Sequence, residues 1–98
     1  MAIYVDKAEW EWRGRKWCHL LADDIEELHR FAASLGLKQN WFQDKGNFPH
    51  YDLTESKREL ALRHGAIAVS RQEIWQIALA LRLKFLRLRR IHASVDAR

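Results

Sequence analysis

Within residues 41–58, WFQDKGNFPHYDLTESKR, a Trp-Phe-Gln triplet, a His-Tyr-Asp triplet and a Lys-Arg pair stand close together. His50 can give or take a proton near neutral pH, and a carboxylate beside it can fix its tautomer. Asp52 is two residues away, and Asp6, at the end of the first predicted strand, is the other candidate partner. Lys57 and Arg58 can hold a phosphoryl oxygen, Arg through a two-pronged fork. The segment runs into a predicted helix, whose free N–H groups and dipole favour an anion. Ligands in α/β proteins collect beyond strand ends, which brings in His19, within or near the end of the second predicted strand. The candidate catalytic residues are His50, Asp52, His19 and Asp6. The candidate ligand contacts are Trp41, Gln43, Tyr51, Lys57 and Arg58.

Each of these also has a purely structural explanation. Asp52 can cap a helix, and Lys57 and Arg58 can be ordinary solvated helix positions. His19 can be a hydrogen-bonded core residue, and His29, next to Leu28, can pack or bond between helices. His64 suits a helix C-terminus, and Cys18, among apolar neighbours, reads as a small core residue. A His/Asp metal site is open to Asp6, His19, Asp23, His50 and Asp52, with Mg²⁺, Mn²⁺ or Zn²⁺ as the divalent cofactor. No HExxH, C-x-x-C, EF-hand loop, P-loop or dinucleotide fingerprint stands in the chain. Ser56 lies on a predicted helix without a nucleophile elbow.

The elements that must position these groups can be read from periodicity. Ile3-Tyr4-Val5 predicts a short strand, and Lys7–Lys16 a turn or irregular excursion. Trp17–Leu21 predicts a second strand with Trp17, His19 and Leu21 on one face and Cys18 and Leu20 on the other. Asp23 and Glu26 have capping-box spacing before a helix carrying Ile25, Leu28, Phe31, Ala32 and Leu35, which Gly36 ends. Residues 37–49 read mainly as loop. A second helix is predicted near Asp52, capped by Asp52 with Glu55 or by Thr54, and ends at Gly65. Ala66–Val69 predicts a strand. Ser70 with Glu73 forms a third capping box, with Val69 and Ile74 as a hydrophobic staple, before a last helix running into the late eighties. Its core face is expected to include Ile74, Ile77, Leu81, Phe85 and Leu88. Leu79, Leu83 and Leu86 fall elsewhere.

The order β-β-α-loop-α-β-α predicts a small single-domain α/β sandwich with a three- or four-stranded sheet and three helices, the last long and basic. Residues 1–75 form the expected compact core. Residues 76–98 form a basic amphipathic helix, either part of the same domain or an oligomerisation element.

The 98 residues are 48% hydrophobic and 31% charged, which suits one folded domain. One cysteine excludes an intrachain disulfide framework. With the charged opening MAIYVDKAEW and no long apolar run, the expectation is a cytoplasmic protein without a membrane segment. The net charge of +4 is uneven: residues 1–70 hold ten Lys/Arg and eleven Asp/Glu, whereas residues 71–98 hold seven and two. That basic end favours acidic partners or serves as a solubilising tail. Trp10 and Trp12, followed by Arg13, Arg15 and Lys16, have the makings of a base-stacking surface, or of core and dimer contacts.

Taken as an ordered set, Tyr4-Val5-Asp6, Cys18-His19 with Asp23, Leu28-His29, Trp41-Phe42-Gln43, His50-Tyr51-Asp52, Ser56-Lys57-Arg58 and Gly65-Ala66 carry a likeness. Over about residues 3–70 the chain resembles the domain of unknown function 4031, a family of small bacterial and phage proteins. The resemblance implies a compact protein whose polar motif residues cluster, and implies no activity. Three function classes follow from the residues. The first is a protein binding a phosphate-bearing ligand, a nucleotide or nucleic acid, in the manner of a phosphoesterase or nuclease. The second is a non-catalytic nucleic-acid-binding module, and the third a homo-oligomer joined through the C-terminal helix.

Overall fold

The sheet is built around one strand long enough to be paired along both edges. The computed structural model describes residues 2–44 and 48–96, with side chains described through Leu88 and at Arg90. The long strand, β3 (Arg15–Ala22), follows β1 (Ile3–Val5) and β2 (Trp10–Trp12). After it come α1 (Ile25–Ser34), a 3₁₀ turn at Gln39–Trp41, β4 (Tyr51–Thr54), α2 (Glu55–Arg63), β5 (Ile67–Ala68) and α3 (Arg71–Asp96). Leu20 is opposite both Val5 and Tyr51, and Trp17 is opposite both Trp10 and Thr54. Strands β1 and β2 therefore lie end to end along one edge of β3, both antiparallel to it, while β4 takes the other edge. Strand β5 adds to β1 in parallel.

Among the described residues the sheet has five strands rather than three or four. The first additional strand is β2, where the sequence reading had an irregular excursion. Arg13 (φ 52°) and Gly14 (φ 71°) are both left-handed, which folds β2 tightly back onto β3. The second is β4. The spacing of Asp52 and Glu55 suggested a helix start, but Tyr51–Thr54 is extended and Thr54 caps α2, its hydroxyl accepting from the Lys57 N–H. Asp52 is thus a strand residue and caps nothing. At α1, Asp24 rather than Asp23 is the cap, accepting from the N–H groups of Glu26 and Glu27. Asp23 instead accepts from the Ala2 N–H and the Tyr4 hydroxyl, both at 3.1 Å. The box at Ser70 and Glu73 forms reciprocally, at 3.1 and 3.2 Å.

Alternation along the strands sorts the core. Ile3, Val5, Cys18, Leu20, Ala22, Tyr51 and Leu53 share one face and are all buried. Helices α1 and α2 supply Leu28, Ala32, Leu35 and Ala61 to the same core. Burial pushes the Cys18 thiol up to about 12, which leaves it a packing group rather than a nucleophile. The opposite face carries Trp10, Trp17, His19, Leu21 and Asp52. Helix α3 crosses part of it, burying Ile74, Ala78 and Leu81. Leu88, expected on the core face of α3, is exposed.

Tyr51 shows how tightly the inner face is tied. Its ring is buried, and its hydroxyl meets His29 Nδ1 at 2.7 Å. Burial holds His29 below the usual histidine range. Its neutral form therefore contributes stability that is whole above the unfolded value of about 6.5 and is lost as pH falls through it. Tyr51→Phe is expected to cost about 1 kcal/mol in urea denaturation. In an NMR titration of the wild type, the His29 ring should titrate below about 6.5. A midpoint above that value would contradict the burial argument.

Candidate functional site

Between β1 and β2, four residues on one strand edge face only Cys18 and His19 on β3. The ladder has a gap there, and the Asp6 side chain fills it. One carboxylate oxygen accepts the His19 backbone N–H at 2.7 Å, and the other meets His19 Nδ1 at 2.8 Å. Asp6 is almost wholly buried. Its backbone carbonyl accepts from Arg58 Nε on α2 at 2.7 Å. The bulge thus aligns the His19 ring and leaves its Nε2 as the ring nitrogen turned to other partners.

Across the strand pair, His19 lies directly opposite Asp52, and His50 precedes Asp52 by two residues on the same face. The His19 and His50 rings stand 5.2 Å apart, edge to face. His50 Nδ1 donates to the Phe48 carbonyl at 2.6 Å, and His50 Nε2 meets Asp52 at 3.2 Å. Burial alone would pull His50 down, but the Asp52 carboxylate and the Phe48 carbonyl outweigh it and hold His50 above the usual range. Burial pushes Asp52 the other way, and its His50 and Gln43 contacts outweigh that and hold it low. Both directions have one cause, the attraction between the protonated form of His50 and the Asp52 carboxylate. Gln43 reaches the site because an isolated antiparallel bridge pairs it with His50. Its side-chain amide donates to the second Asp52 oxygen. Asp6, His19, His50, Asp52 and Gln43 thus form one connected array.

The array opens into a cavity of about 480 Å³. Its floor includes Asp6, His19 and His50, and Trp10, Phe48 and Trp75 contribute aromatic walls. The Trp10 ring stacks at 4.5 Å on His19, and Phe48 meets Trp75 edge-on at 5.0 Å. Lys7 and Arg71 add positive charge, and Arg71 bonds Glu9 at 2.7 Å, joining α3 to the bulge.

The other residues singled out by sequence lie elsewhere. Tyr51 points to the inner face, and Trp41, half exposed, sits in the 3₁₀ turn with Lys38 over its ring. Lys57 Nζ donates to the Leu35 carbonyl at the end of α1, at 2.7 Å. The Arg58 contact to Asp6 makes Arg58 a support for the bulge. Asp23 is at the far end of β3 from this array. Of the surface basic residues, Arg13 lies over the Trp12 ring and Lys84 bonds the Asp23 carbonyl. Lys7, Trp10, Phe48, Arg71 and Trp75 went unselected for this site. Trp10 had a signal of its own, as a base-stacking candidate beside Trp12, whereas Trp75 stands as a large aromatic in the first turns of α3 beside the apolar stripe.

Among the described residues, no helix is long and apolar enough to cross a membrane. A family model described as "Protein of unknown function (DUF4031)" matches residues 3–81. That match extends past the resemblance read from sequence and into α3 as far as Leu81, taking in Arg71 and Trp75. The chain is also similar to "Uncharacterized protein YneQ" of Bacillus subtilis (strain 168), at 47% identity over 30 residues. The similarity covers 31% of this chain and 30% of that protein. No solved structure matches the chain.

Proposed function

Because the chain belongs to the DUF4031 family, whose description assigns no activity, we propose its function from the cavity: the protein binds a phosphate-bearing ligand of nucleotide size and hydrolyses its ester. The observation that carries this reading is one cavity joining the His19–His50 pair to aromatic walls and two cationic side chains. A volume of about 480 Å³ suits a small ligand. Indole and phenyl faces accept a nucleobase of any identity. Lys7, His50 in its protonated form, and Arg71, which also bonds Glu9, favour the phosphate. Of the carboxylates lining the cavity, Glu9 is paired with Arg71, and the Asp6 oxygens are taken by the His19 backbone N–H and ring.

The chemistry divides between the two rings. His19, with Nδ1 held by Asp6, takes a proton from water at Nε2 as the water oxygen attacks phosphorus. The phosphorus–oxygen ester bond breaks, and His50 gives its proton to the leaving oxygen. The experiment is calorimetric titration of a nucleoside monophosphate into wild type and His50→Gln in the presence of EDTA, followed by phosphate release from an ester substrate.

We propose in addition that α3 pairs with α3 of a second copy. Leu79, Leu83 and Leu86 recur on the helix face turned away from the core, and each is substantially exposed. Such a stripe is self-complementary in an antiparallel pair. Light scattering after size exclusion should give a dimer mass for wild type and a monomer mass for Leu83→Glu. A wild-type monomer at high concentration removes this reading.

A further inference from the structure

We infer that His19, His50 and Asp52 form a binding site for one divalent transition-metal ion, with Zn²⁺ the best fit. Among the described residues, one ligand atom from each of the three lies within 4.8 Å of the others. The inference deepens the reading of the same cavity, and rests on it only for the ion's use in hydrolysis. Ion binding stands or falls separately.

The case rests on how the remaining atoms of these side chains are employed. Metal-binding histidines characteristically use one ring nitrogen for the ion while a carboxylate or backbone carbonyl holds the other, and ligating carboxylates are themselves hydrogen-bonded. All three residues meet that description. His19 Nδ1 is held by Asp6 at 2.8 Å, which leaves Nε2. His50 Nδ1 must donate, because the Phe48 carbonyl can only accept, which again leaves Nε2. One Asp52 oxygen takes the Gln43 amide, which leaves the oxygen that faces His50. The three residues sit side by side on two paired strands, His19 opposite Asp52 and the His19 and His50 rings 5.2 Å apart. A rigid strand pair sets such positions more accurately than loops do.

Two imidazoles and one carboxylate suit Zn²⁺, Mn²⁺ or Fe²⁺ better than the all-oxygen preference of Ca²⁺ or Mg²⁺. Bonds of about 2.1 Å in tetrahedral geometry bring the ligand atoms to about 3.4 Å from one another. His50 Nε2 and Asp52 already stand 3.2 Å apart, so the remaining separations, at most 4.8 Å, must close by no more than about 1.4 Å, within reach of small side-chain rotations. His19 and His50 line the cavity, so the remaining coordination positions open toward it. That arrangement, three protein ligands and an open position, is the form of catalytic rather than structural zinc sites. With both Nε2 atoms engaged, the ion would supply the activated water and the positive charge facing phosphate, and a solvent molecule, rather than His50, would protonate the leaving oxygen.

The test is calorimetric titration of chelator-stripped protein with Zn²⁺ alone. One ion per chain is expected, with affinity lowered at least tenfold in His50→Gln and in Asp52→Asn. Asp52→Asn is nearly isosteric and keeps an oxygen for Gln43. Asp6→Asn, which removes no ligand atom but loosens the hold on His19, should cost roughly 10–100-fold. A variant-free measurement covers any failure to fold. Substoichiometric Mn²⁺ should broaden the ring signals of wild-type His19 and His50 before those of His29, His64 and His92. Absence of Zn²⁺ binding overturns the inference. So does binding that both ligand variants leave unchanged, or broadening centred on another histidine. Nucleotide binding in EDTA without Zn²⁺ binding would leave the cavity reading standing and remove the metal alone. Zn²⁺ binding without nucleotide binding would do the reverse.

Discussion

Asp6→Ala is expected to lower stability by about 3 kcal/mol, the largest loss from any single polar side chain described above. The carboxylate makes two hydrogen bonds from a buried position, one to the His19 backbone and one to its ring. It stands where a backbone carbonyl would close the ladder, had the strand not bulged. Alanine leaves the His19 N–H without its acceptor, and an orphaned buried donor costs about 1–3 kcal/mol by itself. Loss of a charge-assisted bond to the ring adds a comparable amount. The Arg58 contact survives, because it uses the Asp6 backbone. Asp6→Asn, retaining one good acceptor, should lose roughly half as much. Urea denaturation of the three proteins decides the matter. A loss below about 1 kcal/mol for alanine would mean that solvent closes the gap and that the bulge does not depend on the carboxylate.

The second large effect concerns the cavity. His50→Gln should weaken nucleoside monophosphate binding by roughly 10–100-fold, the equivalent of one charge-assisted hydrogen bond. It should also slow ester hydrolysis by about 10²–10⁴-fold through loss of the acid. Glutamine is polar and of similar length, so the neighbouring packing is largely kept and the charge is what goes. Trp10→Ala provides the complementary result. Loss of a stacking face costs about 1–3 kcal/mol per base and leaves inorganic phosphate unaffected. Titrating both proteins with nucleotide and with phosphate separates the two halves of the site. Wild-type affinity in His50→Gln would remove the phosphate reading, and equal losses for nucleotide and phosphate in Trp10→Ala would remove the stacking one.

Two residues show where sequence reasoning succeeded and where it could not. His50 and Asp52 were legible as a pair because two residues in an extended segment project to one side, and His–Asp chemistry is recognisable at that spacing. The element carrying them was not legible. A four-residue strand gives only two turns of period-2 signal, and here the Asp52–Glu55 spacing competed with it. Thr54 could serve as cap as well as Asp52, and strand pairing with β3 settled the choice. Lys57 and Arg58 illustrate the opposite case. They stand beside the motif in sequence, yet α2 directs one to the end of α1 and the other to the Asp6 backbone.

Local sequence by itself determined the number and order of the three helices, the Gly36 and Gly65 stops, the Ser70–Glu73 box and the buried alternation of Cys18 and Leu20. These depend on contacts within a few residues, where capping, backbone freedom and side-chain periodicity act directly. Helix α2 nevertheless begins at Glu55 rather than near Asp52, and α3 runs on to Asp96 rather than ending in the late eighties. Tertiary structure decided which polar residues meet. Asp6 reaches His19 only because a bulge interrupts the edge of β3, and Gln43 reaches Asp52 only because it is bridged to His50 beside β4. Trp75 joins Trp10 at one cavity because α3 crosses the outer face of the sheet. Residues 65 positions apart leave no periodic mark on one another, since their contact depends on strand register and helix placement rather than on local spacing.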